Sequence, residues 1–150
     1  MKLKGFWLSA IVIAACNGMG FLFLYLSKTY FFPMVTFKDN LGNLGSSLVT
    51  YSTAMMALLI AMVVIIFGLD GPRLHNFKKS GYLHITYFIY MITFFELGLT
   101  MALSLLCLSN ISSIKVASYS LTFAFITFLL IGCLGIQLLN IKKNHESTKL

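Results

Sequence analysis

Residues 81–108 read GYLHITYFIYMITFFELGLTMALSLLCL, with a single formal charge, Glu96. A hydrocarbon core about 30 Å thick is crossed by roughly 20 helical residues, so this run is long enough to span a bilayer. In lipid every backbone polar group must find a partner within the protein, which selects a helix over an open strand. Working outward, three more runs of this kind appear at 5–27, 47–69 and 116–141, none of them carrying a charge. The link between the last two runs, 109–116, is short enough to make them an antiparallel hairpin. The expected fold is therefore an all-α integral membrane protein. It is a four-transmembrane-helix bundle forming one transmembrane domain over 1–150.

Composition agrees. Of the 150 residues, 59% are hydrophobic and 10% charged, with a mean hydropathy of +0.90. A soluble domain carries about 25% charged residues, so this chain has too little polar surface to coat a water-soluble globule. The net charge of +7 could suggest nucleic acid, but the cations lie between the apolar runs, as membrane flanks do, and direct nucleic-acid binding is not expected. Lys2, Lys4, Arg73, Lys78, Lys79, Lys142, Lys143 and Lys149 fall on one side of the predicted spans. Only Lys28, Lys38 and Lys115 fall on the other. The asymmetry places both termini and the middle loop of a multi-pass membrane protein in the cytoplasm.

Lys2 and Lys4 followed by an apolar run resemble a signal peptide, and Ile13-Ala14-Ala15-Cys16 resembles a lipoprotein processing box. The apolar run continues through Gly18 to Leu24 where a polar tether would be expected, so an uncleaved first span is predicted. Cys16, Cys107 and Cys133 form no disulfide framework or CxxC pattern and read as small packing residues. No metal or cofactor motif, phosphate loop or nucleophile–base pair appears, so the chain reads as non-enzymatic.

Between the first two spans, residues 28–46 carry Tyr30, Phe31, Phe32, Val35 and Phe37 around Pro33. This aromatic loop is expected to anchor in the outer headgroup region or cap the bundle. Between the second and third spans, Pro72 suits the first turn of a short surface helix, and Gly81 suits its close. Leu74 and Phe77 would face the membrane while Arg73, Lys78 and Lys79 meet anionic lipid or a soluble partner.

Glu96 is the residue most suggestive of function. A charge at mid-bilayer costs on the order of 2.5–3.5 kcal/mol on insertion scales, so Glu96 should face the bundle interior or a subunit interface. Thr93, Thr100 and Ser104 share its helix face and extend it into a polar stripe. Asn17, halfway along the first span, matches Glu96 in depth and is its expected hydrogen-bond partner. With no intramembrane Lys or Arg as counter-ion, a neutral or hydrated carboxyl is expected. The polar pair reads first as a packing device, then as a gate or proton-sensitive element, and last as an ion path. His84 and Gln137 are expected at a similar depth near the cytoplasmic surface. Ala10, Ala14 and Gly18 recur every four residues, as Ala57 and Ala61 do, and mark close helix contacts within or between subunits. Gly132 and Gly135 are expected to pack or loosen the fourth helix.

The four-span layout and the inner segment Phe67-Gly68-Leu69-Asp70-Gly71-Pro72-Arg73-Leu74-His75-Asn76-Phe77-Lys78-Lys79-Ser80-Gly81-Tyr82 resemble the membrane subunit of the bacterial Kiwa anti-phage system. That resemblance implies a location in a bacterial inner membrane and a homo-oligomer, a tetramer, that senses infection and works with a cytoplasmic nucleic-acid-binding partner. The leading expectation is a non-enzymatic membrane sensor or scaffold that oligomerises and docks a cytoplasmic effector. The alternatives are a small ion channel or holin-like pore, with Glu96 and its hydroxyl stripe lining a path, and a membrane immunity protein against a pore-forming toxin.

Overall fold

The computed structural model describes residues 2–31, 38–68, 82–109 and 113–146, and the side chains of Trp7, 9–30, 39–66, 86–109 and 113–139. The described residues are almost entirely helical and contain no strand. Helix α1 is Lys2–Leu26 and runs directly into a π-helical turn, Ser27–Phe31. A 3-10 turn, Lys38–Asn40, opens helix α2, Leu41–Gly68. Helix α3 is Tyr82–Leu108 and helix α4 is Ile114–Glu146. All four are long and apolar enough to cross a membrane.

The spans start and stop for local reasons. Helix α2 begins six residues before the predicted Ser47, so much of the expected outer loop is helix. Asp39 lies in the turn that opens it, where a negative charge favours the exposed N–H groups of a helix start. The interfacial aromatic loop is described only at its edges, where Tyr30 is exposed; 32–37 lie outside the described residues. At the α3–α4 hairpin the Ser109 hydroxyl donates to Leu106 O (2.8 Å) and satisfies a carbonyl of the last turn. Ser113 then caps α4: its Oγ accepts from Val116 N (3.4 Å) and its carbonyl from Ala117 N (3.1 Å). Helix α4 therefore starts two residues earlier than predicted.

Helix α3 is the hub, packed most extensively on α2 and α4, while α1 lies against α4 and α3. Large apolar side chains cover the outside: Phe95, next to Glu96, is 74% exposed, and Trp7, Val64, Met91 and Leu139 also point outward. The interior mixes Leu59, Ile89, Leu97, Ile126, Leu130 and Leu134 with Ser52, Thr93, Thr100, Ser104, Ser120 and Thr127. That arrangement suits lipid. Leucine and phenylalanine gain nothing by leaving hydrocarbon, whereas small and hydroxyl residues let helices approach and hydrogen-bond.

Two glycines make the approaches. A Cβ on Gly45 would sit 2.8 Å from Ser104 O and 3.1 Å from Cys107 Cβ, which brings α2 directly onto the α3 backbone. A Cβ on Gly20 would overlap the Ile126 side chain, with its Cδ1 2.8 Å away. Next to this contact, toward the C-terminal end of α1, α1 and α4 pair aromatic rings. Phe21 and Phe123 meet edge to face with centroids 6.4 Å apart, and Phe23 and Phe125 stack at 4.3 Å.

The expected small-residue stripe does not serve this packing. Ala14 and Gly18 are exposed, Ala10 is half-buried, and a Cβ on Gly18 would meet nothing. The buried face of α1 is Ser9, Cys16 and Gly20, with Val12 and Ile13 beside it, two positions round from the stripe. Ala57 and Ala61 are likewise exposed. Gly132 meets nothing, and Gly135 reaches only Met62 Cε at 3.7 Å.

Candidate functional site

The candidate site is built on α3 and completed by α1, α2 and α4. Residues 93, 96, 100 and 104 follow helical spacing and share the inward face. Thr93, Thr100 and Ser104 are fully buried and Glu96 is 8% exposed. Asn17 on α1 donates from Nδ2 to Glu96 Oε1 at 3.1 Å, as equal depth on the two parallel helices predicts. The same nitrogen donates to Ile13 O at 3.0 Å. An amide nitrogen carries two protons, so Asn17 is fully committed as a donor. Glu96 Oε2 is buried and has no partner.

The hydroxyl stripe does not turn toward the carboxyl. Thr93 Oγ1 donates to Ile89 O at 2.8 Å, and Thr100 Oγ1 donates to Glu96 O at 2.8 Å. Ser104 Oγ donates to Thr100 O at 2.6 Å. In a membrane, bonding to the carbonyl one turn back is the cheapest way for a Ser or Thr side chain to be satisfied. The stripe also ties helices together. Ser104 Oγ lies 2.7 Å from Ser120 Oγ on α4, and Ser120 Oγ reaches Thr100 O at 3.4 Å. Deeper in α4, the Tyr51 hydroxyl from α2 donates to Ala124 O at 2.9 Å and lies 3.3 Å from Thr127 Oγ1. Leu97, Ile126 and Leu130 are fully buried around these groups. The result is a packed, closed polar core rather than an open path.

Sequence reasoning missed Tyr51, Ser52, Ser120 and Thr127. Ser120 and Thr127 are seven apart and so share a face of α4, on which Ser120 meets the α3 stripe and Thr127 meets Tyr51 of α2. Ser52 has a fully buried hydroxyl with no partner, as does Tyr90 at 4% exposure. Cys16 on α1 and Cys133 on α4 lie close enough to interact, with Glu96 nearby. All three cysteines are free. Among the described residues no group of His, Cys, Asp and Glu could hold a metal ion. The basic loop residues Arg73, Lys78 and Lys79, with Phe77 and the surface helix expected around them, lie outside the described residues. So does the side chain of His84, leaving only half-buried Gln137 of that pair described.

A family model for RexB, described as a membrane-anchored ion channel and Abi (abortive-infection) component, matches residues 8–146, which include all four spans. The chain belongs to the RexB family. The RexB protein of Escherichia phage lambda is 31% identical to it over 122 residues, which cover 81% of this chain and 85% of that protein. No solved structure matches. RexB membership preserves the coarser content of the resemblance drawn from residues 67–82, a small membrane protein of phage defence, and replaces Kiwa as the matched family. It also puts a channel description on a family whose member here buries one acid at the centre of its bundle.

Proposed function

We propose that the chain is a non-enzymatic, ion-conducting component of an abortive-infection system in the bacterial inner membrane. Both termini and the middle loop face the cytoplasm, and the closed bundle is the resting form. The observation that carries this reading is Glu96, buried in the bundle interior beside a column of hydroxyls, in a chain of a family described as a membrane-anchored ion channel. A carboxyl facing a bundle interior is the group expected to favour cations over anions. Because Leu97, Ile126 and Leu130 fill the core, conduction needs a rearrangement. The Asn17–Glu96 contact is the natural place for one, since a side-chain bond joins α1 to α3 there at the buried acid. Planar-bilayer recording of the purified protein tests this. Wild type should pass cation-selective current, and Glu96→Gln should change its selectivity while the protein stays folded. Silence from wild type, or identical selectivity in the variant, would return Glu96 to a packing role.

The sensor and effector-docking reading is retained as a second function of the same protein, because the family is described as one component of a system. Arg73, Lys78, Lys79 and Phe77 are the proposed contact for anionic lipid or a cytoplasmic partner protein, with the chain assembling as a homo-oligomer, a tetramer by the Kiwa resemblance. Charge reversal at the three cations should reduce partner recovery in a mild-detergent pull-down. Unchanged recovery and unchanged phage exclusion would reduce the cluster to a topology signal.

A further inference from the structure

We propose that the Glu96 carboxyl is a reversible proton-binding site whose neutral form latches α1 onto α3. The geometry carries the inference. An ionised carboxylate offers about four acceptor positions and no donor. Glu96 receives one donor, Asn17 Nδ2 on Oε1, and that amide has spent its other proton on Ile13 O. The hydroxyls of Thr93 and Thr100 are committed to main-chain carbonyls. Oε2 is buried without a partner. No Lys, Arg, His or Asp occurs in 9–27, 41–66, 86–109 or 116–139.

The titratable groups buried or half-buried in the bundle with Glu96 come from each packed helix. From α1 there is Cys16, near Glu96, and beyond it Cys133 of α4. From α2 there is Tyr51, whose hydroxyl is bonded to Ala124 O, and on α3 itself there is the buried Tyr90. None of these is a cation. A second unpartnered hydroxyl, Ser52, lies at similar depth. Gly45 touches Ser104, and seven residues further along each antiparallel helix bring Ser52 level with Leu97.

A neutral acid fits this surrounding: Oε1 accepts from Asn17, and the proton on Oε2 removes the charge that lacks donors. Ionisation leaves Oε2 requiring water, and the α1–α3 seam that the Asn17–Glu96 bond holds is the one whose parting would admit it. Proton binding and seating of α1 are therefore coupled. The site is the carboxyl named in the conduction reading, but its protonation is measured without current, so either idea can fail alone.

Infrared difference spectroscopy of the full-length protein in liposomes, wild type minus Glu96→Gln, reads the proton directly. The expected result is a neutral-carboxyl band at pH 7 that disappears reversibly under alkaline conditions. In Asn17→Leu, which loses the donor to the ionised form, the band should persist to higher pH. A hydrophobic carbodiimide gives the same answer if Glu96→Gln does not assemble. The carboxyl O–H adds across one C=N bond, with oxygen bonding to carbon and the proton passing to nitrogen, and acyl migration gives a stable N-acylurea with no leaving group. Peptide mapping should find the adduct at Glu96 at pH 7, with yield falling as pH rises. Absence of both band and adduct at pH 7, or a band unchanged by alkali, overturns the proposal. Protection by sodium at constant pH also overturns it, by assigning Oε2 to an alkali cation.

Discussion

Replacing either partner of the Asn17–Glu96 pair should cost the bundle unequal amounts. Glu96→Leu removes one intramembrane hydrogen bond, worth on average roughly 0.6 kcal/mol and at most about 1.7. It also removes Oε2, a buried polar atom with no partner. Such an atom costs about 1–3 kcal/mol when left unsatisfied, so its loss offsets that of the bond. Asn17 keeps its bond to Ile13 O. The net change for Glu96→Leu is therefore expected within about 1 kcal/mol of zero, in either direction. Asn17→Leu instead strands both carboxyl oxygens and should destabilise by roughly 1–3 kcal/mol. Glu96→Gln retains an acceptor for Asn17 and should be close to neutral. Reversible unfolding in mixed micelles, followed by helix content for the two single variants and the double, gives all three values and the coupling between the residues. A Glu96→Leu variant distinctly less stable than Asn17→Leu would refute the reasoning, because it would mean that the carboxyl has partners beyond Asn17.

The helix approaches make a second test: Gly45→Ala and Gly20→Ala should each lose about 1–3 kcal/mol by overpacking, whereas Gly18→Ala should be neutral within a protomer. A change in oligomer size for Gly18→Leu, seen by native mass spectrometry, would show that the outward Ala14–Gly18 face meets another subunit. Mild oxidation of membranes should join Cys16 to Cys133 within one chain and leave Cys107 free, read by peptide mapping; a Cys107 linkage within the chain would contradict the packing of α1 on α4. A reporter fused after Leu150 should be cytoplasmic and one inserted near Asn40 external, and a C-terminal reporter outside would reverse the orientation inferred from the cations.

How much was legible before the fold was known varies with the physical origin of each feature. Four spans could be read from composition and run length because hydrocarbon thickness and backbone hydrogen bonding dictate them with no tertiary information. Glu96 stood out for the same reason: a lone acid in an apolar run needs an inward face, and helical spacing alone aligns Thr93, Thr100 and Ser104 with it. The Asn17 partner followed from depth, since α1 and α3 cross in the same direction. What only the tertiary structure decided was rotation about each helix axis. In hydrocarbon an apolar side chain has no preferred face, so periodicity could not tell Ala14 and Gly18, which lie on the outer face with Ala10 half-buried beside them, from Ser9, Cys16 and Gly20, which lie on the inner face. Nor could it pair Ser120 with Ser104 or Tyr51 with Thr127, because those contacts depend on the register between helices. That register is set by where Gly20 and Gly45 let backbones come close, and a glycine reveals this only when its neighbour is known.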